Sequence, residues 1–240
     1  MDNGQNKLRD AGQRMIYIII HPLVKFLIRL HISPNIITTI GLLLNIVVAF
    51  IFIFGAEERV RGDLSYVGWG GAMILFAGVF DMIDGQVARI GNMATKFGAF
   101  YDSVLDRYSE LIMFLGICYY LVANHYFLGS LIAFIALIGS MMVSYTRARA
   151  EGLGIECKEG FMQRPERIIV IGTSALLCGI VSHFIGGNFK WFIPGIPFHV
   201  FETMSVLIFP IVFVAISANA TAIKRLNHVR NQLTKEDKLN

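Results

Sequence analysis

Long apolar stretches, each broken only by a short charged segment, recur along nearly the whole of this 240-residue chain. An α-helix needs about 20 such residues to cross a bilayer. Inside hydrocarbon the backbone has no water to bond, so it must satisfy its own polar groups. The pattern predicts an all-α integral membrane protein with spans at about 34–54, 64–84, 97–123, 126–149, 165–186 and 201–223. Composition agrees: 55% of residues are hydrophobic and 16% charged, against about 25% charged in an average globular domain. No Pro/Gly/Ser-rich linker, repeat or low-complexity tract divides the chain, so 1–240 reads as a single membrane domain.

Ahead of the first span, residues 15–31 read MIYIIIHPLVKFLIRLH. His21, Lys25 and Arg29 recur every four residues and would form one polar stripe on a helix otherwise apolar. That is the pattern of an amphipathic helix lying in the membrane interface, with membrane lipids as its partner. Ser33-Pro34 then marks a helix start, with Ser at the N-cap and Pro at the first helical position. No cleavable signal sequence is expected, because residues 1–14 are polar and the first apolar stretch carries charges through its middle. Cys118, Cys157 and Cys178 have no metal-ligand or redox spacing and read as packing residues.

The basic residues set the orientation. Lys and Arg crowd before residue 30, after residue 223 and within 147–167, and Arg89 and Lys96 lie between the second and third spans. The opposite face holds Arg59, Arg61 and Lys190. The positive-inside rule places both termini, the 84–97 turn and the 147–167 loop on the cytoplasmic side of a cell inner membrane. The net charge of +4 suits anionic headgroups or anionic substrates, and no nucleic-acid partner is expected.

Residues 81–106 read DMIDGQVARIGNMATKFGAFYDSVLD. Asp81 and Asp84 end the second span and Asp102 and Asp106 begin the third, each pair on one helical face. The turn between them brings the pairs towards each other at the cytoplasmic edge. Clustered carboxylates at membrane depth are costly, at roughly 2.5–3.5 kcal/mol for one Asp at a span's centre, and mutual repulsion adds to that. Two divalent cations would balance four carboxylates, and all-oxygen ligation favours Mg²⁺ or Mn²⁺. Such a site serves displacement at phosphorus. Gly85, Ala88 and Gly98 permit close approach of a substrate or helix, and Arg89 offers a fork of donors to a phosphate. Taken singly, a Gly in a span is usually a packing residue and an Asp can simply pair with an Arg. A different class of protein, a divalent-cation transporter, would also gather carboxylates. It would need acidic groups along a path, and only Glu110 and Glu202 are available.

The series Asp81, Asp84, Gly85, Ala88, Arg89, Gly98, Asp102, Asp106 resembles, in spacing throughout, the signature of the CDP-alcohol phosphotransferase family. Six spans after a surface helix resemble that family's organisation, and Pro34-Asn35 with Thr38 looks like its first-span start near the nucleotide. The resemblance implies that Asp81, Asp84 and Asp102 hold the metals, with Asp106 assisting and acting as general base. It implies that a cytidine nucleotide lies over Gly85 and Ala88, that an acceptor hydroxyl attacks the lipid-linked phosphorus of CDP-diacylglycerol, and that CMP leaves. It also implies a homodimer.

The segment 144–167, SYTRARAEGLGIECKEGFMQRPER, gathers Arg147, Arg149, Lys158, Arg164 and Arg167 on the same side. Such a cluster suits a phosphate on the acceptor, although a basic cytoplasmic loop can also serve topology alone. RARAEGLG and QRPER are similar to stretches of prokaryotic phosphatidylinositol-phosphate synthases and their archaeal counterparts. By that resemblance the acceptor is inositol 1-phosphate, its phosphate meeting Arg147, Lys158, Arg164 or Arg167. Glycerol 3-phosphate, the acceptor of a phosphatidylglycerophosphate synthase, is the alternative. Residues 186–200 read as an outer loop with aromatic anchors, and the tail after Lys224 as charged helix or coil.

Overall fold

The computed structural model describes residues 19–58, 62–157, 160, 162–192 and 199–236. Among them are seven α-helices and one hairpin: α1 (19–29), α2 (Pro34–Glu57), α3 (Ser65–Ile90), α4 (Lys96–Ala123), α5 (Phe127–Glu151), α6 (Arg164–Ile185), β1 (Lys190–Phe192), β2 (His199–Glu202) and α7 (Ser205–Glu236). Five of these helices (α2, α3, α5, α6 and α7) are long and apolar enough to cross a membrane, so this is a multi-pass membrane protein. The remaining long helix, α4, packs against α2 and α5. Its first turns carry the charged residues Lys96, Asp102, Asp106 and Arg107, which keep it outside a purely hydropathic definition of a span.

Helix boundaries follow local chemistry. Pro34 opens α2 and Pro165 lies in the first turn of α6, where a missing N–H costs nothing. Ser33 is at the N-cap of α2 as expected, but its side chain makes no capping bond. Thr95 does cap α4, accepting from Gly98 N at 2.9 Å. Gly186 closes α6 at φ 80°, the left-handed position where glycine avoids a Cβ clash.

Helix pairs α2–α4, α3–α6, α5–α7 and α2–α3 make the bundle. Glycine lets α3 and α6 touch backbone to backbone: a methyl on Gly71 would stand 2.2 Å from Leu176 N. The main core gathers Phe52, Ile74, Phe114, Ile117, Tyr120, Ile171 and Ile211. Cys157 and Cys178 are fully buried and Cys118 partly so, none of the three in a disulfide. A second cluster docks α1 on the bundle through Ile20 and Val24 against Ile37, Ile83 and Val87. Lys25 and Arg29 are exposed, as are Leu23 and Phe26. Residues 15–18 of the expected surface helix lie outside the described residues.

Three boundaries differ from the sequence expectation. Helix α3 continues past residue 84 to Ile90, carrying the whole DMIDGQVARI segment as helix. Residues 201 and 202 belong to β2, which pairs antiparallel with β1 (Trp191 with Phe201), so part of the expected outer loop is a hairpin. Helix α7 begins at Ser205 and runs to Glu236, 32 residues or about 48 Å. It therefore extends far beyond residue 223. The extension is held because its buried stripe, Ala218, Ala222, Arg225, continues through Val229 and Leu233, which pack on Ala150, Ile155 and Cys157.

Candidate active site

The N-terminal turns of α2, α4 and α6 and the C-terminal turns of α3, α5 and α7 carry the signature aspartates and nearly all the basic residues already singled out. Asp81 and Asp84 project from α3 towards different partners. The Asp84 side chain is buried, and its Oδ2 accepts from Thr38 Oγ1 at 2.8 Å, joining α3 to α2. Asp81 Oδ1 faces Gly41 of α2, where a methyl would stand only 3.3 Å away. Asp81 Oδ2 lies 2.8 Å from Arg164 Nη1 of α6. The same nitrogen lies 2.8 Å from Asp106 Oδ1 of α4. One guanidinium thus draws carboxylates from two helices to a single point, with all three side chains between 17% and 18% exposed. Asp102 lines the neighbouring cavity together with Asp106.

The small residues keep this region open. Arg89 folds back over Gly85, and a methyl there would meet Arg89 Nη2 at 3.5 Å. Ala88 is half-buried and Arg89 exposed. Gly98 brings the start of α4 against Asn35 of α2, whose Oδ1 would lie 3.3 Å from an added methyl. Thr39 Oγ1 and Tyr101 Oη tie the same two helices at 3.0 Å.

A polar cavity of about 360 Å³ adjoins the aspartates. Asp102, Asp106 and Glu151 line it together with Arg107, Arg147, Arg164, Arg167 and Arg225. The expected basic residues therefore separate into distinct roles. Arg147 is exposed and pairs with Glu151 at 2.8 Å, one helical turn away. Arg164 reaches the aspartates. Arg167 borders the cavity but is fully buried, its Nε and Nη2 on Glu110 Oε1 and Oε2 at 2.8 and 2.9 Å and its Nη1 on Met162 O at 3.1 Å. Arg167 is one of the residues expected to meet an acceptor phosphate; here a carboxylate fills its fork. Lys158 lies outside the described residues. Glu110, weighed above as part of a transport path, is the other half of this ion pair.

Sequence reasoning missed Arg225. It is buried, donates from Nη1 to Val143 O at 2.6 Å and lines the cavity from α7. The signal was present: Arg225 falls on the three-and-four spacing of the buried positions before it. Hydropathy alone ended the span at residue 223, two residues short of it.

Among the described residues, no three acidic, His or Cys side chains are drawn together as a ready metal cage. Yet the donor set is oxygen from Asp81, Asp84, Asp102 and Asp106, and a cationic nitrogen already bridges two of them. The chemistry fits a hard divalent cation once Arg164 gives way.

Fold and site together define a helical membrane protein with a carboxylate-lined polar cavity at one end of its bundle. The chain matches the CDP-alcohol phosphatidyltransferase family over residues 31–201 and belongs to it. It is accordingly an enzyme of phospholipid biosynthesis, a CDP-alcohol phosphatidyltransferase. It is 32% identical over 161 residues to a phosphatidylinositol phosphate synthase of Corynebacterium glutamicum, covering 66% of this chain and 69% of that one. It is 45% identical over 114 residues to an archaetidylinositol phosphate synthase of Methanothermobacter thermautotrophicus, covering 48% and 55%. Its fold matches that of the Mycobacterium tuberculosis phosphatidylinositol phosphate synthase with CDP-DAG bound, with TM-score 0.66, 28% identity and coverage of 87% of this chain and 92% of that one. That mycobacterial protein has also been crystallised with manganese and citrate.

Proposed function

We propose that this enzyme transfers a phosphatidyl group from CDP-diacylglycerol to inositol 1-phosphate, releasing CMP, and that it requires divalent cations. One observation carries the reading: carboxylates and guanidiniums share a single cavity, Asp102 and Asp106 together with Arg147, Arg164 and Arg225. Such a cavity suits an acceptor that brings both a hydroxyl and a phosphate.

Asp81, Asp84, Asp102 and Asp106 would hold two Mg²⁺ or Mn²⁺, which when bound neutralise the pyrophosphate and ease the departure of CMP. Gly85, Ala88 and Gly98 leave the backbone approachable to the nucleotide, Asn35 and Thr38 border it from α2, and exposed Arg89 offers donors to a phosphate. The acceptor hydroxyl oxygen bonds to the lipid-linked phosphorus, the bond from phosphorus to the CMP oxygen breaks, and the hydroxyl proton passes to Asp106. Arg147, Arg164 and Arg225 orient the acceptor through its phosphate. Arg167 positions α6 against α4.

The topology follows the same reading. Helix α4 has 28 residues, about 42 Å, which exceeds a hydrocarbon core of about 30 Å. We take it as a sixth span whose polar first turns lie at the interface, α1 as the interfacial helix, and 1–240 as one domain. Termini and site are cytoplasmic in the inner membrane, where the CDP-lipid's nucleotide is presented, and the enzyme is a homodimer by family resemblance.

Purified protein supplied with CDP-diacylglycerol and a panel of inositol 1-phosphate, glycerol 3-phosphate, inositol and serine tests the assignment. CMP release is expected with inositol 1-phosphate, lost in EDTA and recovered with Mg²⁺ or Mn²⁺. Preference for glycerol 3-phosphate would reassign the acceptor, and turnover in rigorously metal-free protein would remove the mechanism. Cation flux into liposomes without CDP-lipid would instead support a transporter.

Arg225→Ala gives a second test. A hydrogen bond to a charged group is worth about 1.5–3 kcal/mol, so KM for inositol 1-phosphate should rise about 10-fold or more while that for CDP-diacylglycerol holds. Equal rises in both would show a general disturbance of the bundle.

A further inference from the structure

We propose that Arg164 is an exchangeable counter-ion that makes binding of the phosphorylated acceptor conditional on metal occupancy of the aspartates. The inference rests on the metal-dependent reading above and concerns what one residue of this chain adds to it.

Arg164 and Arg167 stand three residues apart on α6, yet they are held differently. Arg167 places Nε, Nη1 and Nη2 on Glu110 and Met162 O, with no exposed surface. Its geometry is fixed. Arg164 uses Nη1 alone on Asp81 and Asp106, both at 2.8 Å. Its Nε is buried and donates to no group among the described residues. It occupies the first position of α6, ahead of Pro165. A side chain there can swing without breaking a helical turn. Arg164 also lines the cavity shared with Arg147 and Arg225.

Arg164 Nη1 sits on Asp81 Oδ2 and Asp106 Oδ1, where a divalent ion would compete with it. A divalent ion takes oxygens at about 2.0–2.1 Å, so at those two oxygens it would displace the guanidinium. The displaced group already borders the cavity that Arg147 and Arg225 line. Released from its carboxylates, the Arg164 fork serves an anion in that cavity, which Arg107, Arg147, Arg167 and Arg225 also line beside Glu151. A phosphate supplies that anion and is matched by forked donors. Metal binding therefore raises affinity for the phosphorylated acceptor, and by linkage the acceptor raises affinity for the metal by the same factor. Free inositol, lacking the phosphate, gains nothing from the exchange.

The test is binding, without CDP-lipid and without turnover. Mn²⁺ affinity is titrated by electron paramagnetic resonance on the full-length protein, alone and with inositol 1-phosphate or inositol. In the wild type, inositol 1-phosphate should tighten Mn²⁺ binding by roughly 5–150-fold, the usual range of coupling, and inositol should not. In Arg164→Gln, Mn²⁺ should bind several-fold tighter than in the wild type, and the coupling to inositol 1-phosphate should vanish. Arg164→Lys, which keeps a cation without the fork, should restore weaker Mn²⁺ binding. Melting temperature separates this from a structural role: Arg164→Gln should melt lower in EDTA and recover in Mn²⁺. Unchanged or weaker Mn²⁺ binding in Arg164→Gln overturns the inference, as does a loss of stability that Mn²⁺ does not restore. A wild type that binds no Mn²⁺, or binds it equally well as Asp81→Asn, fails at the earlier step and removes the metal site itself.

Discussion

Replacing Asp106 by Asn is expected to lower CMP release by at least about 10²–10⁴-fold, the usual contribution of a positioned general base. The substitution keeps the shape of the side chain but removes its charge and its ability to accept a proton. Asp106 also contributes one of the four carboxylates assigned to the metals, so the loss should lie at or beyond the upper end of that range. Stability should change little. Arg164 retains Asp81 at 2.8 Å, and neutralising one of four clustered carboxylates relieves repulsion. Turnover and melting temperature measured on the same preparation separate the two effects. Near-normal CMP release from folded Asp106→Asn would show that another group takes the acceptor proton. Asp102, the other carboxylate lining the cavity, would then be the next to test.

The aspartates were legible because their spacing is local. Offsets of three and four along a helix determine which side chains share a face, and a short turn leaves two such faces few ways to miss each other. The finer pairing was not legible. Nothing in the spacing says that Asp84 turns to Thr38 while Asp81 and Asp106 turn to Arg164, because those choices depend on how α2 and α6 approach from elsewhere in the chain. Arg164 and Arg167 are the clearest instance. They are identical in type and sit in one QRPER motif, yet one meets the aspartates and the other is sealed against Glu110. Their difference comes from tertiary packing alone. Arg225 was missed for another reason: an apolar window registers hydropathy and not helical phase, so it stopped at residue 223 although the buried stripe went on. The hairpin of β1 and β2 was missed because its strands are three and four residues long, too short for an alternating pattern to declare itself.

Glu110→Ala is expected to destabilise the protein by about 3–5 kcal/mol, the cost of leaving one partner of a buried ion pair without the other. Arg167 is 0% and Glu110 3% exposed. Removing the carboxylate strands a guanidinium between α4 and α6, with Met162 O as its remaining bond. Activity should fall as well, because α4 carries Asp106 and α6 carries Arg164. The single variant alone cannot tell a positioning role from a ligand role for Arg167. The double variant Glu110→Leu, Arg167→Met can. Apolar residues of similar volume often replace a buried pair at no loss of stability, so its melting temperature should return close to that of the wild type. If Arg167 only positions α6, CMP release should return with the fold, and KM for inositol 1-phosphate should match the wild type. A double variant that is stable but has lost affinity for the acceptor would place Arg167 on the phosphate after all. That result would mean the Glu110 pair opens during the catalytic cycle.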